Sequence, residues 1–258
     1  MTSLKIATWN VNSLRVRLAH VQEWLAHEKP DILALQETKA PDEHFPHAEL
    51  ATAGYHVVAS GQKTYNGVAI LSKHEATDVL KDIPGLDDPA RRILCATIND
   101  VCVLNLYVPN GESLLSEKYQ YKLSWLEKVA DFISLQLIKT PKMILLGDFN
   151  IAPEDIDVHD PKQWEGHIHV SPKERAAFKK ILSLGFQDCV REQHPDTRLY
   201  SWWDYRMNGF KRNLGLRIDH ILASKALKCV ASHIDKAPRA LERPSDHTPV
   251  IAQFNLDL

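Results

Sequence analysis

The amino-acid sequence predicts an α+β protein in which two mixed or mainly antiparallel β-sheets pack on each other with helices outside. Three observations carry this expectation. Strand-like runs stand at both ends and in the middle of the chain, and few long helical patterns separate them. The 258 residues lie near the upper size for one continuous hydrophobic core. The sequence carries no Gly/Ser-rich or Pro-rich linker and no internal repeat, so residues 1–258 read as a single catalytic-sized domain.

The elements follow in order. Residues 4–9, "LKIATW", alternate as a half-buried strand does. Ser13 is placed to cap a helix from Leu14 to His27, along which Leu14, Leu18, Val21 and Leu25 recur at helical spacing. "DILALQE" reads as a strand ending in a carboxylate. "YHVVAS" and "NGVAILS" read as two strands about a turn-rich stretch. "RRILCATI" and "VCVLNLYVP" pair across Asn99-Asp100, a hairpin-turn sequence. Residues 116–137 carry a long amphipathic pattern through Tyr119, Leu123, Leu126, Val129, Ala130 and Ile133. "KMILLGD" is a buried strand. Ser171, Pro172 and Glu174 spell a capping box with proline in the first turn, opening a helix that runs to Leu184. "RIDHILAS", "CVASHID" and "TPVIAQFNL" return the chain to strands.

Composition narrows the function classes. The chain is 44% hydrophobic and 25% charged, with a formal net charge of −2. Bulk charge therefore does not make it a non-specific polyanion binder, although a local basic patch remains open. The four cysteines form no C-x-x-C pair, which argues against structural zinc. Cys95 and Cys102 lie in apolar runs as small core residues, and the spacing does not suggest a disulfide framework. No basic-then-apolar leader opens the chain, and no apolar run approaches the roughly 18 residues of a membrane span. The expectation is a soluble cytoplasmic protein, and nothing in the sequence demands more than a monomer.

The polar residues collect at strand ends. Asn10 ends the first strand and Glu37 the second. Tyr107 lies near the end of "NLYVP", and Asp148 and Asn150 close "LLGDFN". Asp219 sits in "LRIDH", while Asp246 and His247 precede the last strand. Each motif alone has an ordinary reading, as a strand-end carboxylate, a turn or a cap. Together they would gather at one sheet edge as four carboxylates, two carboxamides, a phenol and an imidazole. That oxygen-rich set suits a hard cation such as Mg²⁺ or Mn²⁺, one ion or two, and implies hydrolysis of a phosphate ester.

The ordered series "WNVNSLR", "LQETK", "NLYVPNG", "GDFNIAP", "YSWWDYR", "GLRIDHIL" and "PSDHTPV" resembles the exonuclease III / AP endonuclease family of the endonuclease/exonuclease/phosphatase superfamily, over nearly the whole chain. The resemblance implies a four-layer α/β sandwich, a divalent metal, and DNA-repair hydrolysis at 3' ends (exonuclease, 3'-phosphatase or 3'-phosphodiesterase) or 5' to abasic sites. It implies Glu37 as principal metal ligand with Asn10 and Asp246. It implies Asp148 to activate or orient water and Asn150 to hold Asp148 and the phosphate. Tyr107 would serve the phosphate or leaving oxygen, and His247, paired with Asp219, the phosphoryl oxygen.

The stretch "YSWWDYRMNGFKRNLGLR" separates DNA from other phosphoesters. It interleaves Arg206, Lys211, Arg212 and Arg217 with Trp202 and Trp203, a mixture suited to backbone neutralisation and stacking on an unpaired nucleotide. The alternative is that the tryptophans are core residues and the basic residues a solvated loop. Tyr65 and Asn66 in "GQKTYNG", with Arg91 nearby, form a second candidate strand-gripping loop. His167, in "WEGHIHVSPKER", is either a surface-loop histidine or a bulky group that intrudes where an extrahelical abasic sugar would sit, favouring 3'-end processing. Two further functions remain in view: a phosphatase or phosphodiesterase on lipid or inositol phosphates, and a DNA-binding relative without catalysis.

Overall fold

A computed structural model describes residues 3–256. Its framework is two six-stranded sheets. The first contains β1 (Ser3–Asn10), β2 (Ile32–Gln36), β3 (His56–Ser60), β4 (Val68–Ser72), β13 (Lys228–Ile234) and β14 (Val250–Asn255), in the order β13-β14-β1-β2-β4-β3. The second contains β5 (Thr77–Leu80), β6 (Ile93–Ile98), β7 (Val101–Tyr107), β8 (Met143–Asp148), β9 (Phe186–Asp188) and β12 (Asp219–Ser224), in the order β5-β6-β7-β8-β12-β9. A short ribbon of β10 (Trp202–Trp203) and β11 (Gly215–Leu216) stands beside them. Only β1 with β2 and β7 with β8 run parallel among the paired strands of the two large sheets. The mixed-sheet α+β expectation is what the chain adopts.

Three apolar clusters set the layering. Ile6, Ile32, Ile70, Val103, Ile144, Ile221 and Val250 fill the space between the sheets. Trp9, Val21, Leu25, Leu33 and Leu71 join the outer face of the first sheet to α1 (Leu14–Glu28). Leu104, Leu106, Leu145, Phe149 and Phe178 join the outer face of the second to α3 (Glu117–Lys139) and α5 (Pro172–Ser183). The result is four layers, helix–sheet–sheet–helix. Both faces of each sheet are covered, which is why the central strands read as unbroken apolar runs. Shorter helices, α2 (His47–Ala51), α4 (Pro161–Trp164) and α6 (Cys189–Gln193), fill the connections.

One buried polar bridge crosses the central layer. The Gln36 Nε2 donates to Thr8 Oγ1 and to Asn105 Oδ1 at 2.9 and 2.8 Å, and Asn105 Nδ2 donates to the carbonyls of Leu35 and Ala69. It ties the two sheets together in register near the ends that carry the functional residues.

Local expectations fare differently. The α5 capping box forms, with Ser171 and Glu174 bonding reciprocally. Ser116 caps α3, and Asn99 and Asp100 both take positive φ at the β6–β7 turn. Cys95 and Cys102 are buried. Ser13 does not cap α1: its φ is 88° and its side chain makes no cap bond. Instead the Ser13 and Leu14 amides donate to the carbonyls of Glu37 and Thr38. The loop after β2 therefore satisfies the helix start that a cap residue would serve.

Candidate active site

Register explains why scattered polar residues meet. Asn10 pairs with Gln36 at the shared end of β1 and β2. Across the second sheet Tyr107 pairs with Asp148, and Asp148 pairs with Asp219 at the start of antiparallel β12. The loop before β14 returns to the same edge, where Ser245 Oγ donates to the Asn10 carbonyl and the Trp9 indole donates to that of His247. Gly147, at φ 139°, permits this row, because a Cβ there would overlap the Leu106 carbonyl oxygen of β7.

Asp148 is the hub. Its Oδ1 accepts from the Asn150 amide at 2.9 Å. Its Oδ2 accepts from Asn10 Nδ2 at 2.9 Å and Asn150 Nδ2 at 3.3 Å, with His247 Nε2 at 3.7 Å. Asn10 Nδ2 also donates to Glu37 Oε1 at 2.9 Å. The His247 Nδ1 lies 2.9 Å from Asp219 Oδ2, which also accepts from Ser201 Oγ at 2.6 Å. Glu37 and Asn150 have φ of 51° and 50°, as do their neighbours Asn12 and Lys39 at 43° and 51°. Such a concentration of left-handed backbone costs free energy and belongs to sites the surroundings hold in place.

Electrostatics follow from burial and surplus negative charge. Burial pushes the Asp148 carboxyl up to about 7, against the pull of His247. Burial disfavours a charged His247, but Asp219 and Asp148 overcome it and raise the imidazole to about 10. The Tyr107 phenol is driven well above its usual value by burial, then by Glu37 and Asp148. The guanidinium of Arg92 lies 4.6 Å from its ring centroid.

Glu37, Asp148 and His247 offer ligand atoms within 4.8 Å of one another. This oxygen-rich donor set fits a divalent cation. Asp246, expected among the ligands, stands apart from that group: its Oδ1 accepts from Asn12 Nδ2 and its Oδ2 from Trp202 Nε1, each at 3.0 Å. Asn12, Lys39 and Ser201 are participants the sequence reading did not single out. Lys39 Nζ lies 3.0 Å from Glu37 Oε2 and donates to Asn12 Oδ1 at 2.6 Å.

Trp202 links this cleft to a cavity of about 580 Å³, walled also by Trp164, His167, Arg206, Met207 and Arg212. His167 is exposed on its wall, its ring 6.0 Å from that of Trp164. Arg206, Lys211 and Arg212 are exposed, and Arg206 pairs with Asp204. Tyr65 and Arg91 are exposed and Asn66 half-buried. The two loops join through the Arg91 amide on Gln62 and the Gly67 amide on the Arg91 carbonyl.

Two expectations for DNA contact are corrected. Trp203 is fully buried, edge-on to Phe210, because it faces inward from β10. Arg217 is 1% exposed and bonds Asp157 and Asp188 at 2.6 and 2.7 Å, so its guanidinium is consumed inside the protein.

Comparison with known proteins agrees with this geometry. The sequence profile of the Endonuclease/Exonuclease/phosphatase family matches residues 7–247. The chain belongs to that family. Among family members, it is 35% identical to exodeoxyribonuclease III of Haemophilus influenzae, over 97% of this chain and 100% of that one. A solved 3' phosphatase, NExo, from Neisseria, bound to a product DNA hairpin, superposes with a TM-score of 0.95 at 50% identity, covering 98% of this chain and 99% of that one. An AP endonuclease from Archaeoglobus fulgidus superposes with a TM-score of 0.95 at 46% identity, with the same coverage.

Proposed function

We propose that the chain is a divalent-metal-dependent DNA-repair nuclease acting on phosphoesters at 3' ends and 5' to abasic sites in duplex DNA, weighted toward 3'-end processing. The observation that carries this reading is the Asp148-centred cluster beside an aromatic cavity edged by arginine. Relatives whose names are an exodeoxyribonuclease, a 3' phosphatase with product DNA and an AP endonuclease support it. Indole and guanidinium walls suit a nucleotide and its phosphates, which favours DNA over lipid or inositol phosphates.

On this reading the whole chain, 1–258, acts as one catalytic domain, as a monomer in the cytoplasm, with Mg²⁺ or Mn²⁺. Asp148, fixed by Asn10 and Asn150, orients the attacking water and accepts its proton; burial has raised its proton affinity toward neutral pH, where a general base works best. His247, kept protonated by Asp219 and Asp148, donates to a phosphoryl oxygen. The Tyr107 phenol stays protonated and donates to the phosphate or the leaving oxygen. Glu37, with Asn10 beside it, would hold the cation, which when bound supplies Lewis-acid neutralisation of the phosphoryl oxygens. Asp246 would join by giving up Asn12 or Trp202, or through water. Trp202, Arg206, Lys211 and Arg212 with Tyr65, Asn66 and Arg91 would grip the DNA.

His167 supplies the bias. Its ring lines the wall of the cavity that, on this reading, an extrahelical sugar would enter. Three duplexes test the reading: a central abasic site, a recessed 3' end and a nick bearing a 3'-phosphate, each with Mg²⁺, with EDTA and with Asp148→Asn. Metal-dependent turnover lost in the variant is expected; silence on all three would sink the nuclease reading. In the same assay His167→Gly should raise abasic-site cleavage and leave 3'-phosphate release nearly unchanged. An unchanged abasic rate would remove His167 from the account.

A further inference from the structure

Behind the cleft lies a charge pair that the reaction scheme does not use. Lys122 is on the inner face of α3 and Glu174 in the first turn of α5, and both side chains are fully buried. An ion pair so deep is weak evidence for stability, because apolar residues of similar volume often serve a fold as well. Its geometry points elsewhere. The ammonium has three donors, and all three are used: on Glu174 Oε1, on the Asn150 carbonyl at 2.7 Å and on the Asn110 carbonyl at 3.2 Å. The Asn150 carbonyl also lies 2.7 Å from His169 Nδ1. Glu174 Oε1 in turn accepts from the His169 amide at 3.0 Å.

The clamped carbonyls belong to the two loop residues whose carboxamides meet in front. The Asn110 Nδ2 donates to Asn150 Oδ1 at 3.4 Å, and Asn150 Nδ2 donates to Asp148 Oδ2 and to the Val108 carbonyl. Asn150 holds a φ of 50°, a conformation other L residues seldom adopt and one that needs holding. We propose that Lys122, neutralised by Glu174 and assisted by His169, is a positioning residue for phosphoester hydrolysis. It fixes the Asn110 and Asn150 backbones so that their carboxamides, and through Asn150 the Asp148 carboxylate, face the scissile phosphate correctly. The ammonium touches no substrate, and its effect reaches the reaction through the placement of Asn110, Asn150 and Asp148, with its charge also felt by Asp148. Displacements on the scale of an ångström cost about 10²-fold in rate.

This inference rests on the nuclease reading, and the experiment separates the two. Phosphate release from a nicked duplex with a 3'-phosphate is followed with Mg²⁺ in excess for the wild-type chain, Lys122→Met, Glu174→Gln and the double variant. Each single change strands a buried charge or its partner and lowers the melting temperature. The double variant removes both charges, keeps the volume and leaves a carboxamide oxygen at position 174 to cap α5, so its melt returns toward wild type. The expected result is that kcat in the double variant remains down roughly 10–100-fold with KM within about twofold. A double variant with wild-type melting and wild-type kcat overturns the proposal, and so does a change confined to KM. If the double variant melts low, His169→Phe decides, because it removes one donor to the Asn150 carbonyl and keeps the ring against Trp164. A severalfold fall in kcat at unchanged KM supports the clamp; an unchanged kcat overturns it. A wild-type chain inactive on this substrate and on the abasic-site and recessed-end duplexes would instead refute the nuclease reading.

Discussion

Two charge clusters adjoin at the start of β12, where Asp219 belongs to one and His220 to the other, and they behave oppositely. In one, Asp157 and Asp188 surround Arg217, with Arg191 on Asp157 and His220 beside Arg217. In the other, Glu37, Asp148 and Asp219 face Lys39 and His247. Burial raises a carboxyl group in both places. Around Arg217 the guanidinium wins, and Asp157 and Asp188 are held below the ordinary carboxylate range. In the cleft burial wins, and Asp148 is pushed up to about 7. The difference is the charge balance: two carboxylates meet two guanidinium groups around Arg217, whereas three carboxylates share Lys39 and His247 in the cleft. A structural network closes its own charge, whereas the cleft keeps a surplus of carboxylate that a divalent cation can balance.

The contrast can be broken in several ways. Asp148→Asn has the largest effect: kcat should fall on the order of 10²–10⁴-fold while the denaturation midpoint holds or rises, since a carboxyl whose ionisation burial opposes is being neutralised. A variant that loses stability and keeps its rate would reverse the assignment of the two clusters. Arg217→Met should do the opposite, costing about 3–5 kcal/mol of stability in urea denaturation and lowering kcat per folded molecule far less. The acid limb gives a smaller effect. Because Asp157 and Asp188 have depressed folded-state values, their stabilisation is complete above the unfolded carboxylate value, about 3.9. It is lost as pH falls through the lower folded values. Urea midpoints of the wild-type chain should therefore fall below pH 4, and the fall should be shallower in Arg217→Met; identical slopes would contradict the network's role.

Much of the cleft was legible because polar residues interrupt apolar runs where strands end. "LLGDFN" and "DILALQE" announce Asp148 and Glu37 without knowledge of the fold. The α5 capping box was legible because it is local. Trp203 and Arg217 were misread because a mixed aromatic and basic run does not reveal which side chains turn inward. Arg217 is claimed by Asp157 and Asp188, whose approach depends on chain folding and not on spacing. Ser13 failed for a related reason, since the loop after β2 already occupies the helix start. Lys122 did leave a sign: it lies three residues from both Tyr119 and Trp125 on the buried stripe of α3, where a charged residue is out of place. Asp246 could not be resolved from "PSDH" alone, because the Asn12 and Trp202 side chains that take up its two carboxylate oxygens come from distant parts of the sequence.

The most direct measurement is Mn²⁺ binding, followed by calorimetry or electron paramagnetic resonance, in the wild-type chain, Glu37→Gln and Asp157→Asn. Surplus carboxylate in the cleft predicts that Glu37→Gln weakens binding about tenfold or more, roughly 1.4 kcal/mol, while Asp157→Asn leaves affinity unchanged wherever the protein is folded. Equal affinity in the wild-type chain and Glu37→Gln would contradict the account at its centre, since the cation would then be held somewhere other than this cleft.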